Sequence, residues 1–195
     1  MIIGVRRSIA LALAAASAAL MHAPASAQTP RAASASCVTK PAELKERVAE
    51  LNAPDPLRRL AGFNEMLSSC DPAQREIAFE RGFASSEQAV RALTLRAKLR
   101  NATVLLLELS APDGDTQAEA VVKRLGNGQV DLPIASYDAD KGELKMTNRH
   151  VSRVSGTLLN LNYGYCKGTL QLADGAVLTG PVVCLKTPLR AVIRL

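Results

Sequence analysis

The spacing of apolar residues changes near residue 100, and this change limits the fold more than any other feature of the sequence. Residues 38–100 carry the 3.6-residue period of helices, as in Leu44, Val48 and Leu51. An acid or capping residue followed by proline favours a helix start, and Ser followed three residues later by Gln resembles a capping box. Four helices are therefore predicted, beginning at Lys40-Pro41, Asp55-Pro56, Asp71-Pro72 and Ser85 with Gln88.

The remainder of the chain favours strands. Short β-rich stretches with clear alternation are separated by turn residues such as Gly126-Asn127-Gly128. The predicted strands are 102–109, 129–137, 143–147, 151–160, 164–172, 176–184 and 189–195, with turns at 138–142, 160–162, 173–175 and 186–188, while 118–125 suits either a helix or a strand. The predicted fold is α+β, with a small helical unit of about four short helices (38–100) followed by an antiparallel β-sandwich or barrel (101–195).

A weak repeat of 16 residues runs through the last three predicted helices. Arg59, Arg75 and Arg91 align at this spacing. The three Arg residues, with the Asp-Pro starts, resemble HEAT-type helical repeats over residues 55–100. The resemblance implies stacked helices and a partner-binding role, and it implies no chemistry. A compact four-helix unit with similar caps explains the same pattern.

The first 27 residues have the three parts of a secretory signal peptide. Arg6 and Arg7 precede an uncharged apolar run from Ile9 to Leu20, and Ala25-Ser26-Ala27 supplies the small residues at a cleavage site. The apolar run is shorter than the roughly 20 residues that span a membrane. We therefore expect cleavage after Ala27, a disordered lead-in at 28–37, no transmembrane segment afterwards, and a periplasmic or secreted bacterial protein.

Four cysteines remain after this cleavage, and an even number in an oxidising compartment indicates two disulfides. The pairings Cys37–Cys70 and Cys166–Cys184 are favoured because each lies within one half of the chain. No C-x-x-C pair occurs, which disfavours a redox or metal site. Without Arg6 and Arg7, 22 basic residues face 18 acidic ones, a net charge of +4 that does not indicate a nucleic-acid partner.

Few residues suggest catalysis. His150 is the one histidine left after cleavage, so zinc sites with several histidines are disfavoured, and no Gly-x-Ser-x-Gly supports a Ser–His–Asp triad. The acids from Asp138 to Glu143 fail the calcium-loop pattern and favour a solvated hairpin turn. No catalytic residue, metal ligand or cofactor is predicted. The basic residues of the fourth helix (Arg91, Arg96, Lys98 and Arg100) are expected to form a solvated face, or to meet an anionic surface.

The stretch from Asn160 to Cys166 is the best candidate for ligand contact. Tyr163 and Tyr165 stand at alternate positions, which would place both rings on one face of a strand, beside Asn160 and Asn162. Rings and amides of this kind suit a sugar or a peptide, and also suit a packed strand end. The sequence favours a non-enzymatic binding or envelope-accessory protein whose partner is an envelope protein or glycan. The alternative is a cell-envelope hydrolase with a carboxylate or Ser site.

Overall fold

The computed structural model describes residues 37–195, and the predicted signal peptide and most of the lead-in lie outside the described residues. The described residues lie in one compact unit. Its first part is helical, and none of the described helices combines the length and apolarity needed to cross a membrane. The four leading helices are α1 (Pro41–Glu50), α2 (Pro56–Leu67), α3 (Pro72–Ala84) and α4 (Gln88–Arg100).

Three of the four predicted helix starts are confirmed. Pro41 opens α1, and the side chains of Asp55 and Asp71 cap α2 and α3 by accepting backbone N–H bonds two residues later. The predicted capping box at Ser85 was wrong. Ser85 ends α3, and its hydroxyl accepts the N–H of Glu87, which is the residue that precedes α4.

The arginines of the 16-residue repeat bond backbone carbonyls outside their own helices. Arg59 donates to Ala53 and Pro54, and Arg75 donates to the carbonyl of Ser69 at 2.7 Å. Each of these two arginines therefore ties its helix to the preceding loop. Arg91 instead reaches the strand half of the chain, where its guanidinium donates to the carbonyls of Leu172 (3.1 Å) and Ala173 (2.8 Å). The resemblance to HEAT-type repeats stays a prediction.

The second part is a closed barrel of eight antiparallel strands, each paired with its neighbours in sequence. The strands are β1 (Val104–Ser110), β2 (Gln129–Asp138), β3 (Glu143–Met146), β4 (Val151–Ser155), β5 (Leu158–Tyr163), β6 (Cys166–Ala173), β7 (Val177–Cys184) and β8 (Thr187–Arg194). Pairing of β1 with β8 closes the barrel. The α+β prediction is confirmed, and of its two options the barrel is the one formed.

Three details of the strand prediction were wrong. The expected turn at 186–188 lies instead at Leu185-Lys186, because β8 begins at Thr187. The expected strand 151–160 is two strands, because the chain reverses at Gly156-Thr157, where Gly156 has a φ of 57°. The expected turn at 160–162 lies inside β5, and the reversal comes instead at Gly164-Tyr165. The ambiguous stretch 118–125 falls largely in a helix, α5 (Thr116–Arg124), which Asp115 caps between β1 and β2.

Side chains fill the inside of the barrel. Alternate residues of most strands are buried, whereas β2 has one buried residue, Leu132, and eight strands enclose a space just wide enough for side chains. The filling is aliphatic and includes Leu107, Leu132, Leu144, Leu159, Leu170, Leu178 and Ile193, all fully buried. The Cys166–Cys184 disulfide joins directly opposed residues of β6 and β7 and is also fully buried. This confirms one of the two predicted pairings.

Helix α4 joins the helices to the barrel. Its residues Val90, Leu95 and Leu99 are buried in the core that both halves share. The Arg91 bonds reach the turn between β6 and β7, and Gln88 lies beside Thr157 at the turn between β4 and β5. These turns mark the end of the barrel on which α4 packs, whereas the turns after β5 and β7 lie at the opposite end.

Candidate functional site

An apolar groove of about 520 Å³ lies between α2 and α4. We call it the α2–α4 groove; it is lined by Leu57, Leu60, Ala61 and Asn64 of α2, by Ala89, Ala92, Leu93 and Arg96 of α4, and by Gly156. Leu57 at its edge is 76% exposed, while Leu60 and Leu93 are half-buried and pack against the core at its floor. An open apolar groove with an exposed leucine at its edge is a candidate interaction site.

The groove is built from the same positions of two helices. On α2 the lining residues recur at i, i+3, i+4 and i+7 from Leu57, and on α4 they recur in the same way from Ala89. Residues at this spacing lie along one side of a helix. The two sets are 32 residues apart, which is twice the 16-residue repeat. The groove therefore lies between two matching helical stripes.

Arg96 is the charged residue of the groove lining. None of the ion pairs among residues 37–195 involves Arg96. Its guanidinium also approaches the turn between β2 and β3, since a Cβ placed at Gly142 would lie 3.8 Å from it. Burial raises the pKa of Tyr137, and the positive charges of Arg96 and Arg100 oppose that rise. The lining thus joins an apolar floor to a half-buried positive charge with no carboxylate partner in the described part of the chain.

The structure separates the residues predicted for ligand contact. Tyr163 ends β5, is half-buried against the core and packs edge-on to His150, with ring centroids 6.4 Å apart. Tyr165 lies in the following turn and is 52% exposed. The expectation that both rings share one face of a strand was wrong because the chain reverses between them. Ligand binding by either residue stays a prediction.

The two asparagines of the same stretch lie on β5. The Asn160 side chain accepts a hydrogen bond from Thr169 on the outer surface of the barrel, at 3.0 Å. The Asn162 backbone bonds the hydroxyl of Ser152, while its side-chain oxygen is buried without a hydrogen-bond partner in the described chain. These contacts hold β5 to β6 and to β4. The four predicted residues thus do not form one site.

The remaining sequence candidates occupy turns. His150 precedes β4, and its N–H donates to the side chain of Asn148. The stretch Asp138–Glu143 forms the turn between β2 and β3, as predicted, and Asp138 accepts the N–H of Lys141 at 3.2 Å. That hydrogen bond holds the pKa of Asp138 below its usual value. Among residues 37–195, no three His, Cys, Asp or Glu side chains are placed to hold a metal ion.

Cys37 and Cys70 are free, exposed thiols, so the second predicted disulfide is not formed in this structure. Both residues nevertheless line the same surface depression. A hydrogen bond with Cys70 is the largest effect that raises the pKa of the Cys37 thiol, followed by burial. The structure therefore holds the predicted partners together as a reduced pair.

The predicted basic face of α4 does not form as one solvated surface. Arg91 bonds barrel carbonyls, Arg96 lines the groove, and the ammonium of Lys98 lies 4.9 Å from the centre of the Phe79 ring. Of the four residues, Arg100 is exposed, and the other three are half-buried. The sequence prediction failed because α4 packs on other elements on several sides.

Comparisons with known proteins do not identify the function of this site. No protein-family model matches the chain, and no curated protein and no solved structure matches it significantly. Sequence reasoning did not single out the residues of the α2–α4 groove. The signal for them is present in the 32-residue correspondence of Leu57, Leu60 and Ala61 with Ala89, Ala92 and Leu93.

Proposed function

We propose that this chain is an exported, non-enzymatic binding protein of the bacterial envelope, and that it binds an amphipathic helix of a partner protein in the α2–α4 groove. The observation that carries the proposal is the pair of matching stripes on α2 and α4, which line the two sides of an open, largely apolar groove. Export is supported by the signal-like N-terminus and by the Cys166–Cys184 disulfide, which is typical of oxidising compartments.

The dimensions of the groove favour a helix. A stripe that runs from i to i+7 is about 10 Å long, which is two turns of a facing helix. Ala61, Ala89 and Ala92 are small, so a third helix can approach the groove closely. The floor is shallow and open, whereas sites for small molecules bury most of the ligand surface. An amphipathic helix would cover the apolar floor and keep its own polar face in water.

The charge of Arg96 adds a requirement on the partner. A guanidinium at the edge of an apolar groove favours a carboxylate placed beside the apolar residues of the incoming helix. We therefore expect the bound helix to carry Leu or Ala at i, i+3, i+4 and i+7 and to carry Glu or Asp next to that stripe. A helix with Lys at the acidic position would face repulsion from Arg96.

A fluorescent amphipathic peptide tests the groove directly. The probe is an 18-residue helix with a Leu/Ala stripe flanked by Glu, and a second peptide has Lys in place of Glu. We expect fluorescence anisotropy to show binding of the Glu peptide and at least tenfold weaker binding of the Lys peptide. Replacement of Arg96 by Gln should remove this preference. Equal binding of both peptides to the unchanged protein would contradict the role of Arg96.

The 16-residue repeat offers a matched control for the groove itself. Ala89 and Ala73 occupy the same position of consecutive helices and both are exposed, but only Ala89 lines the α2–α4 groove. Ala89→Glu should weaken peptide binding at least tenfold because it places a charge on the apolar floor, and Ala73→Glu should leave binding unchanged. Equal effects of the two substitutions would reject the groove as the site. A photo-crosslinking residue at 89, with 73 as the control, would then identify the natural partner in living cells.

A further inference from the structure

The turn between β7 and β8 holds two residues in an unfavourable backbone conformation. Leu185 and Lys186 have φ values of 50° and 70°, and the flanking Cys184 and Thr187 pair directly. A two-residue hairpin turn with positive φ at both positions favours Asn-Gly, because side chains beyond Asn are strained there. The turn nevertheless has Leu-Lys at these two positions, where Asn-Gly would relieve the strain. Strain of this kind points to a use for the side chains.

Leu185 belongs to an exposed apolar surface at this end of the barrel. Its N–H donates to the carbonyl of Tyr165 at 3.1 Å, and Val183 lies opposite Pro188 in the ladder. We call these four residues the turn patch. Tyr165, Val183 and Leu185 are 52%, 48% and 36% exposed, and they account for three of the eight large apolar side chains that are exposed among residues 37–195.

Two lysines border the turn patch. Lys167 lies opposite Val183, and Lys186 is next to Leu185 at the tip. Neither lysine takes part in the ion pairs of the described residues. Apolar side chains that project from a surface, beside Tyr and unpaired Lys, suit the boundary between lipid headgroups and acyl chains. Lysines near an anionic lipid surface add attraction of their own.

Another exposed apolar pair lacks this charge pattern. Val104 and Leu106 of β1 are 51% and 39% exposed, but Leu106 lies opposite Asp131, and Glu108 follows it on the same face of the strand. Glu108 is ion-paired with Arg194, so the carboxylate of Asp131 is the one that anionic headgroups would repel. Exposed apolar area is therefore common to the turn patch and to the Val104–Leu106 pair. The neighbouring lysines are what distinguish the turn patch.

We propose that the turn patch docks the protein on an anionic lipid surface. Leu185 and Tyr165 enter the headgroup boundary, and Lys167 and Lys186 pair with headgroup phosphates. The strained turn holds Leu185 outward at the tip. The patch lies at the end of the barrel opposite the Gly156 turn, which lines the α2–α4 groove. Docking therefore leaves that groove free, and the two proposals are independent.

Vesicle sedimentation tests the proposal with two single substitutions that relax the backbone. The full chain is mixed with vesicles of phosphatidylglycerol and phosphatidylcholine, or of phosphatidylcholine alone, and every variant has the same N-terminus. Leu185→Asn should lower partitioning into the anionic vesicles about tenfold through the lost apolar contact. Lys186→Gly should lower it about fivefold through the lost charge. Both variants should unfold at the same temperature as the unchanged protein or higher, since both residues suit positive φ.

The control is the double variant Val104→Ser with Leu106→Asn, which removes a similar apolar area elsewhere and should keep full vesicle binding. Equal partitioning of the unchanged protein into both kinds of vesicle would overturn the proposal, as would undiminished binding of Leu185→Asn. Binding of a soluble anionic polysaccharide with no vesicle binding would also overturn the lipid assignment. Ala89→Glu should bind vesicles normally, so failure of the groove proposal would remain distinguishable from failure of this one.

Discussion

Oxidation of Cys37 and Cys70 to a disulfide should stabilise the helical part of the chain. The segment before α1 is tied to the start of α3, because the Thr39 N–H donates to Asp71 at 2.9 Å and the Gln74 amide donates to the Thr39 hydroxyl. These bonds hold the two thiols together. With oxidised glutathione as the oxidant, the two thiols lose their protons, one S–S bond forms, and two molecules of glutathione thiol are released.

The size of the effect follows from the loop that the bond would close. Cys37 and Cys70 enclose about 34 residues, which include all of α1 and α2. On the loop-entropy model a loop of this length stabilises the folded state by about 4 kcal/mol. With a urea dependence of about 2 kcal/mol per molar for a domain of this size, the unfolding midpoint should rise by about 2 M.

Urea unfolding of the oxidised and reduced proteins, followed by circular dichroism, measures this shift. Mild reduction should open only the exposed pair, since Cys166–Cys184 is buried, and mass spectrometry would verify each state. Cys37→Ser should show no shift with oxidant. The raised pKa of Cys37 predicts faster oxidation as the pH rises, because the thiolate is the attacking species. An oxidised protein with the midpoint of the reduced one would refute the reasoning.

Two further substitutions test the helix contacts. A Cβ at Gly82 would lie 2.1 Å from Thr94 Oγ1, so Gly82→Ala should lower the free energy of unfolding by about 2 kcal/mol despite its better helix propensity. Adding Thr94→Ala should recover part of that loss in a double-mutant cycle, and strictly additive effects would contradict the contact. Hydrogen bonds from Thr39, and then from Ala73, hold the pKa of Asp71 below its usual value. A carboxylate of this kind stabilises the fold above its ordinary pKa, and that stability is lost as the pH falls through the folded-state pKa. Asp71→Asn should therefore flatten the acid side of the stability profile measured by urea unfolding, and an unchanged acid slope would argue against this role.

The helices were predictable because their signals are local. A capping acid followed by proline at Asp55 and Asp71 makes its hydrogen bond within two residues, so the sequence alone indicates where α2 and α3 begin. Ser85 misled the prediction for a physical reason. Its hydroxyl does bond a nearby N–H, but that bond serves the turn between two helices rather than the first turn of α4.

Strand boundaries were harder because a meander needs only two residues to reverse. Gly156-Thr157 and Leu185-Lys186 are both such turns, and the second has no turn-forming residue at all. The expectation of a shared face for Tyr163 and Tyr165 failed for the same reason. A reversal between two residues cancels the alternation that places i and i+2 on the same side.

The candidate site was harder to predict from the sequence than the helices or the strands. The 32-residue correspondence between Leu57 and Ala89 can be read from the sequence, but it does not indicate which side of α2 and α4 remains exposed. That depends on how α3 and the barrel pack around α2 and α4. Arg96 illustrates the limit, since it belongs to a basic helix in sequence and to the edge of an apolar groove in space.

The sequence by itself determined the division into helices and strands near residue 100, the starts of α1, α2 and α3, and the pairing of Cys166 with Cys184. These features depend on residues close together in the chain or on simple alternation. The tertiary structure decided that the strands close into a filled barrel, that Cys37 and Cys70 meet as thiols, and that the α2–α4 groove and the turn patch face solvent. Closure and exposure depend on packing between residues far apart in the chain, which no local pattern encodes.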